Sequence, residues 1–297
     1  MFAWRTMDHR IADLLSLLEL ERLEVNLFRG ESRDIGSPQV FGGQVLGQAL
    51  MAASRTVEQR VVHSLHAYFL RRGDFNAPIV YEVDRSRDGH SFSNRRVVAI
   101  QHGEQIFNMT ASFQSVQPGL EHQLERPPVP DPEALPDTPL VSPELLARVP
   151  EKTRRLLERP RPFEFRSVQS IDLLQPSPAP PSRQIWFRAV SRVPDDETLN
   201  RCLLAYVSDF YLLETATLPH GVSFRSGRAI VASIDHAMWF HRPLRVDEWL
   251  LYAVESPSAS GSRGFARASV FARDGRLVAS TAQEGLVRLI EDPRGAS

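Results

Sequence analysis

FGGQVLGQALMAASRTV, residues 41–57, reads as a helix that is apolar on one face and rich in small residues, a surface suited to tight packing against a sheet. Three extended segments follow it: VHSLHAYFL (62–70), APIVYEVDRSRDG (77–89) and FSNRRVVAIQHGEQIFNMTASFQ (92–114). The same order then recurs. NRCLLAYVSDFYLLETATL (200–218) is the second helix, and IVASIDHAMWFHR (230–242), WLLYAVESPSASG (249–261) and GFARASVFARDGRLVASTAQEGLVRL (264–289) are its extended segments. In each half the last segment folds back through a glycine turn, at Gly103 and at Gly275, a hairpin signal. On this count Ser64-Leu65 and Ser233-Ile234 open matching central strands. A helix followed by antiparallel strands, twice over, predicts an α+β chain. The edges of the two bent sheets would pair, giving one continuous sheet from two halves.

Between the halves the composition changes. Fifteen of the 22 prolines lie from Pro118 to Pro181, and proline removes a backbone donor, so PPVPDPEALPDTP and LLQPSPAPPSR are neither interior strands nor long helices. The predicted organisation is a first repeat over 1–117, a proline-rich linker over 118–182 and a second repeat over 183–297. Within the linker SPELLARV and EKTRRLLE fit short helices, and QSIDLL a short strand. The start, MFAWRTMDHRIADLLSLLELERLE, reads as an amphipathic helix and lacks the unbroken apolar stretch of a secretory signal.

The 297 residues include 35 basic and 36 acidic side chains, a formal charge of −1, so no global positive field gathers nucleic acid or an anionic membrane. No uncharged apolar run approaches the ~20 residues that span a bilayer. The single cysteine, Cys202, excludes an internal disulfide and fits a reducing compartment, so a cytoplasmic location is predicted. No zinc, Walker or dinucleotide motif is present, and the predicted chemistry uses neither metal nor cofactor. Gly89-His90-Ser91-Phe92-Ser93 lacks the final glycine and the strand-to-helix setting of a nucleophile elbow.

The collinear stretches FGGQ, HSLHAYFLRRGD, RDGHSFSNRRV, SDFYLLETATLPHG, SIDHAMWFHRP, EWLLYAVESPSAS and DGRLVASTAQEGL resemble bacterial acyl-coenzyme A thioesterase II, a double hotdog protein, from about Leu15 to Arg288. The resemblance implies acyl-CoA as the substrate and a water held by a helix carboxylate, a strand hydroxyl and a strand glutamine, here Asp209, Ser233 and Gln283. Aligning the repeats at their turn glycines places Ala111 opposite Gln283, so one site per chain is expected; proteins of this kind commonly associate further, which makes a homo-oligomer an open expectation. Serine stands at 233 where such proteins often carry threonine.

The residues support that chemistry to different degrees. Helical spacing from Asp209 gathers Cys202, Ala205, Tyr206, Leu212, Leu213 and Ala216 on one nearly apolar face, where a carboxylate needs compensation. Ser233 and Gln283 alone are uninformative; with Asp209 they form a set able to hold and deprotonate water. A thioester suits it, since a thiol of pKa ~8.5 leaves without a strong acid. Gly42 and Gly43, at the start of the first helix, are candidate oxyanion donors. Arg71, Arg72 and Arg263 are candidates for the coenzyme A phosphates. Histidine chemistry is the rival. His63 and His66, and likewise His236 and His241, are spaced to point to opposite strand faces, so neither pair acts together. A hotdog hydratase, which needs an Asp/His pair, and a non-catalytic acyl-CoA sensor are the alternative readings.

Overall fold

The computed structural model describes residues 7–37, 39–137, 154, 160–172, 176–224 and 226–290. The amphipathic start forms helix α1, His9–Leu18, which buries Ile11, Leu14, Leu15, Leu17 and Leu18. The helix is shorter than its sequence pattern: beyond it, strands β1 (Glu21–Glu24) and β2 (Leu27–Gly30) pair as a hairpin. Helix α2 (Gly42–Ser54) is the first central helix, and β3 (Val61–Phe69), β4 (Ile79–Asp88), β5 (Phe92–Gln101) and β6 (Glu104–Gln114) follow it. His102 and Gly103 close β5 onto β6, both at positive φ (51° and 78°), the two-residue turn whose twist matches the strands it joins.

The predicted linker also contributes to the sheet. Strand β7 (Phe163–Ser167) pairs with β8 (Ser182–Ala189) at the edge, slightly upstream of the QSIDLL segment. The two predicted linker helices lie outside the described residues, apart from helical Arg154. The second half continues with α3 (Glu197–Ser208), β9 (Ala229–Ser233), β10 (Asp235–Phe240), β11 (Leu250–Ser260), β12 (Arg263–Ala272) and β13 (Leu277–Leu289). The described strands make one antiparallel sheet in the order β1-β2-β4-β5-β6-β3-β10-β13-β12-β11-β8-β7, with β9 also on β13. The halves join where β3 pairs with β10, so the continuous sheet predicted from the repeat is present.

At this junction His66 faces Ala237, and each lies next in register to the strand its half folds back, at Thr110 and Ala282. Leu65 therefore corresponds to His236, and the count pairing Ser64-Leu65 with Ser233-Ile234 is corrected. A bulge at His63 and a break at Ile234 between β9 and β10 offset the sequence positions. The bulge also cancels the predicted alternation of His63 and His66. His63 Nε2 bonds Ser112 Oγ and His66 stacks edge-on against half-exposed Trp239, so both point to the outer face.

Helices α2 and α3 pack antiparallel inside the curved sheet. A Cβ on Gly43 would overlap the Tyr206 carbonyl oxygen, and one on Gly47 would lie 3.1 Å from the Cys202 carbonyl; the small face of α2 permits this approach. On the outer face of the second half, Trp186, Trp249, Leu251, Phe271 and Leu277 are covered by Val129, Leu135 and Val168. Trp186 Nε1 donates to Pro130 O at 3.0 Å. Proline-rich backbone thus shields apolar sheet, and its missing N–H groups leave few donors to satisfy.

Candidate functional site

Asp209 is the C-cap residue of α3. The long helix read from the sequence, 200–218, is therefore two pieces: α3 ends at Ser208, Tyr211 adopts a left-handed φ of 64°, and a 3₁₀ segment runs over Leu213–His220. The single apolar face drawn through Asp209 does not exist as a helical face, although Cys202, Ala205, Tyr206, Leu212, Leu213 and Ala216 are all buried. Tyr252 fixes the helix end by donating its hydroxyl to Ser208 O at 2.8 Å.

Three elements meet at this end. Gln283, on β13 and fully buried, donates Nε2 to Asp209 Oδ1 at 2.8 Å and approaches Ser233 Oγ at 3.0 Å. Ser233, the last residue of β9, donates to Asp209 Oδ1 at 3.3 Å. The structure thus brings Asp209, Ser233 and Gln283 into one cluster. The other carboxylate oxygen, Oδ2, accepts the Gly43 backbone N–H at 2.9 Å. That N–H lies in the first turn of α2, at the positive end of the helix dipole.

This last contact revises the part given to the glycines. Gly43 N–H serves the carboxylate and is not a free oxyanion donor. Gly42 is small for a different reason: a Cβ there would lie 2.7 Å from Asp209 Oδ2 and 3.0 Å from Phe69. Burial raises the Asp209 pKa to about 6, while the bonds from Gln283, Gly43 and Ser233 oppose that rise. The residue keeps partial solvent contact, a route by which a reactant meets it. A carboxylate of this kind is mostly ionised at neutral pH and basic enough to take a proton.

One residue beyond the sequence-derived set belongs to the cluster. His236, fully buried on β10, places Nδ1 3.2 Å from Gln283 Nε2, and burial drives its pKa down to about 3. Strand alternation through buried Met238 and Phe240 carried that inward signal. His241, on the opposite face, bonds Ser280 Oγ and is remote from the cluster. Of the surface arginines, Arg71 pairs with Glu104 and Arg263 with Glu284. The Gly89–Ser93 decoy is the β4–β5 hairpin turn, with Gly89 N–H on Phe92 O.

A cavity of about 310 Å³ adjoins the helix end. Leu14 and Leu17 of α1, Ile35, Phe163, Phe165 and Phe210 supply apolar wall, and His9, Arg10, Asp13 and Arg33 stand at it. Its size is at the low end for small-molecule sites. Tyr206 and Phe210 line it and flank Asp209 along the chain. Among the described residues no group of His, Cys, Asp and Glu is arranged to hold a metal, and no helix is long and apolar enough to cross a membrane.

Comparison with known proteins bears on what such a cluster does. A family model described as acyl-CoA thioesterase matches residues 160–286, and one described as acyl-CoA thioesterase N-terminal domain matches residues 29–114. Acyl-CoA thioesterase 2 of Haemophilus influenzae is 42% identical over 96% of this chain and 100% of its own length. Human acyl-coenzyme A thioesterase 8 is 41% identical, over 95% of this chain and 91% of its own. The crystal structure of acyl-CoA thioesterase II TesB2 from Mycobacterium marinum superposes with a TM-score of 0.77 at 44% identity, covering 94% of this chain and 99% of that one. A hot dog fold protein from Alicyclobacillus acidocaldarius, 19% identical with a TM-score of 0.74 over 94% of this chain and 99% of its own, shares the fold.

Proposed function

This chain belongs to the acyl-CoA thioesterase family and is a thioester hydrolase; on that premise we propose that it hydrolyses medium- to long-chain acyl-CoA through a water held by Asp209, Ser233 and Gln283. The observation that carries this reading is the Asp209 carboxylate, buried enough to be basic and bonded on both oxygens by groups that fix its direction. Gln283 Oε1 is buried and has no partner among the described residues, which suits it to accept one hydrogen of the reacting water while Asp209 takes the other.

The water oxygen attacks the thioester carbonyl carbon as its proton passes to Asp209. The tetrahedral intermediate then expels the coenzyme A thiolate, breaking the C–S bond, and Asp209 returns the proton to sulfur. A carboxyl of pKa about 6 protonates a thiolate whose acid has a pKa of ~8.5 downhill, so the cycle closes with fatty acid and free thiol. The developing oxyanion falls near the start of α2, where Gly42 N–H is the remaining first-turn glycine donor. The acyl tail lies in the cavity walled by α1 and Phe210. The repeats over 1–117 and 183–297, with 118–182 as a strap, would then share a single site per chain.

The test is thiol release from acyl-CoAs of graded length. Asp209→Asn should lower turnover by about 10²–10⁴-fold while binding persists. Activity that survived in Asp209→Asn and vanished in His63→Ala would transfer the reaction to histidine chemistry, and binding by the parent without thiol release would make the protein a sensor.

A further inference from the structure

We propose that His236 is a positioning residue: held as its neutral Nε2–H tautomer by Ser208 and Thr281, it fixes which way the Gln283 carboxamide faces. The proposal rests on the reading that Gln283 serves the reacting water, and the argument is one of donor and acceptor accounting from two ends. At the first end, an ionised carboxylate can only accept. Gln283 must therefore turn Nε2, and not Oε1, toward Asp209 Oδ1. The same amide nitrogen lies 3.0 Å from Ser233 Oγ and 3.2 Å from His236 Nδ1, which share its second hydrogen; because an amide nitrogen accepts nothing, an Nδ1–H would meet only a donor, so Nδ1 is the bare nitrogen.

The second end agrees with that answer. His236 Nε2 lies 3.0 Å from Ser208 Oγ and 3.1 Å from Thr281 Oγ1. Ser208 donates its one hydroxyl hydrogen to Ala205 O at 2.9 Å, and Thr281 donates its own to Ala237 O at 2.9 Å. With each hydroxyl hydrogen on its carbonyl, both oxygens turn lone pairs to the imidazole, the arrangement that a hydrogen on Nε2 satisfies. Ser208, Thr281, His236 and Gln283 are all buried, so bulk water does not compete for these bonds.

The consequence reaches the reaction. With Nδ1 accepting, Gln283 Oε1 is forced to the side away from Asp209 and His236, where it has no partner among the described residues. An amide flipped by half a turn would set Oε1 against the carboxylate and point a donor at the water. A base role for His236 does not fit, because its one lone pair is engaged by the amide.

The experiment reads the tautomer and the kinetics separately. In the parent enzyme, ¹⁵N–¹H correlation of the imidazoles at pH 7 should show one histidine as a neutral Nε2–H tautomer whose signals vanish in His236→Leu. His236→Leu should lower kcat by roughly 10²-fold, the scale of a misplaced reacting group, with KM within about twofold. His236→Asn, whose carbonyl oxygen can occupy the Nδ1 position, should recover at least about tenfold of that loss. Ser208→Ala combined with Thr281→Val should move the parent resonance toward a mixture of tautomers and lower kcat. An Nδ1–H tautomer or an imidazolium for His236 in the parent overturns the proposal, with His236→Asn giving the assignment if His236→Leu fails to fold. Unchanged kcat in a folded His236→Leu does so too. Activity surviving in Asp209→Asn would instead sink the underlying reading of the site and leave the tautomer assignment standing.

Discussion

The two halves present the same place in the sheet to opposite ends. In the first half Ala111 of β6 lies beside Arg95 of β5; in the second, Gln283 of β13 lies beside Ala266 of β12. Small and large have exchanged strands, so the volume beneath the helix end is filled in both halves by a different chemistry. Arg95 is 1% exposed and uses all five donors: Nε on Thr56 Oγ1, Nη2 on Thr56 O and Asp88, and Nη1 on the Arg87 and Asn94 carbonyls. Thr56 follows the end of α2 much as Asp209 follows the end of α3. One site is a helix end tied off by a saturated guanidinium; the other is a helix end met by an amide with an acceptor to spare. A saturated polar network has no bond left to offer, while a buried acceptor without a partner calls for an explanation that a reactant would supply.

The largest effect that can test this contrast is Asp209→Asn. Loss of a positioned base lowers turnover by about 10²–10⁴-fold, read as thiol release under saturating acyl-CoA. A residual rate within tenfold of the parent would erase the functional difference between the halves.

Next comes a crossed pair. Arg95→Ala leaves a cavity and several acceptors without donors, and should cost about 3 kcal/mol in denaturant unfolding with kcat near the parent value. Gln283→Ala should lower kcat by roughly 10²-fold with a stability loss of about 1–2 kcal/mol, smaller than that of Arg95→Ala because fewer bonds are lost. Equal effects of the two substitutions on either quantity would show that the contrast is only one of volume.

The same distinction sets a pH dependence. If Asp209 is the base, its active form is the carboxylate and turnover should fall as pH drops through about 6, where burial has raised its pKa. No second limb from His236 is expected in that range, because burial holds it neutral down to about 3. Stability runs the other way. A folded pKa of about 6 against the ordinary 3.8 means that the buried charge costs at most about 3 kcal/mol above pH 6, relieved as pH falls toward 4. Asp209→Asn should therefore gain melting temperature over the parent at pH 8, less what it loses in bonds from Gln283 and Ser233, and the gain should shrink at pH 4. A difference that does not change with pH would mean that the carboxylate is solvated.

How much of this the sequence disclosed depends on the range of the interaction. Period-two strands, the glycine turns at 103 and 275 and the repeated order of elements are local signals, and they carried the fold. Where local rules were overridden, reading failed. The chain leaves helical geometry at Asp209–Tyr211 although its apolar spacing continues, because that segment packs as core without being helix. The bulge at His63 moved a histidine to the face that alternation had denied it. Asp209, Ser233 and Gln283 come from three elements up to 74 residues apart, and only the resemblance to a known family joined them in advance. The Gly43 contact and the His236 network depend on helix-to-helix and strand-to-strand placement, for which a single sequence offers no count.

The smallest expected effect concerns a wall that crosses between halves. Helix α1 lies in the first half of the chain, yet its Leu14 and Leu17 line the cavity beside Phe210 and Tyr206, next to the second half's Asp209. The first half also lends the α2 N-terminus to Asp209 through Gly43, so the proposed site would draw its polar trio from one half and part of its wall from the other. If the cavity holds the acyl tail, Leu14→Trp should shorten it without touching the reacting groups. The value of kcat/KM for long acyl chains should then fall about tenfold, the worth of roughly one displaced methylene in an apolar pocket, while that for the shortest chains stays within twofold. A loss equal at all lengths would place the tail elsewhere and return α1 to a purely structural part in the first half.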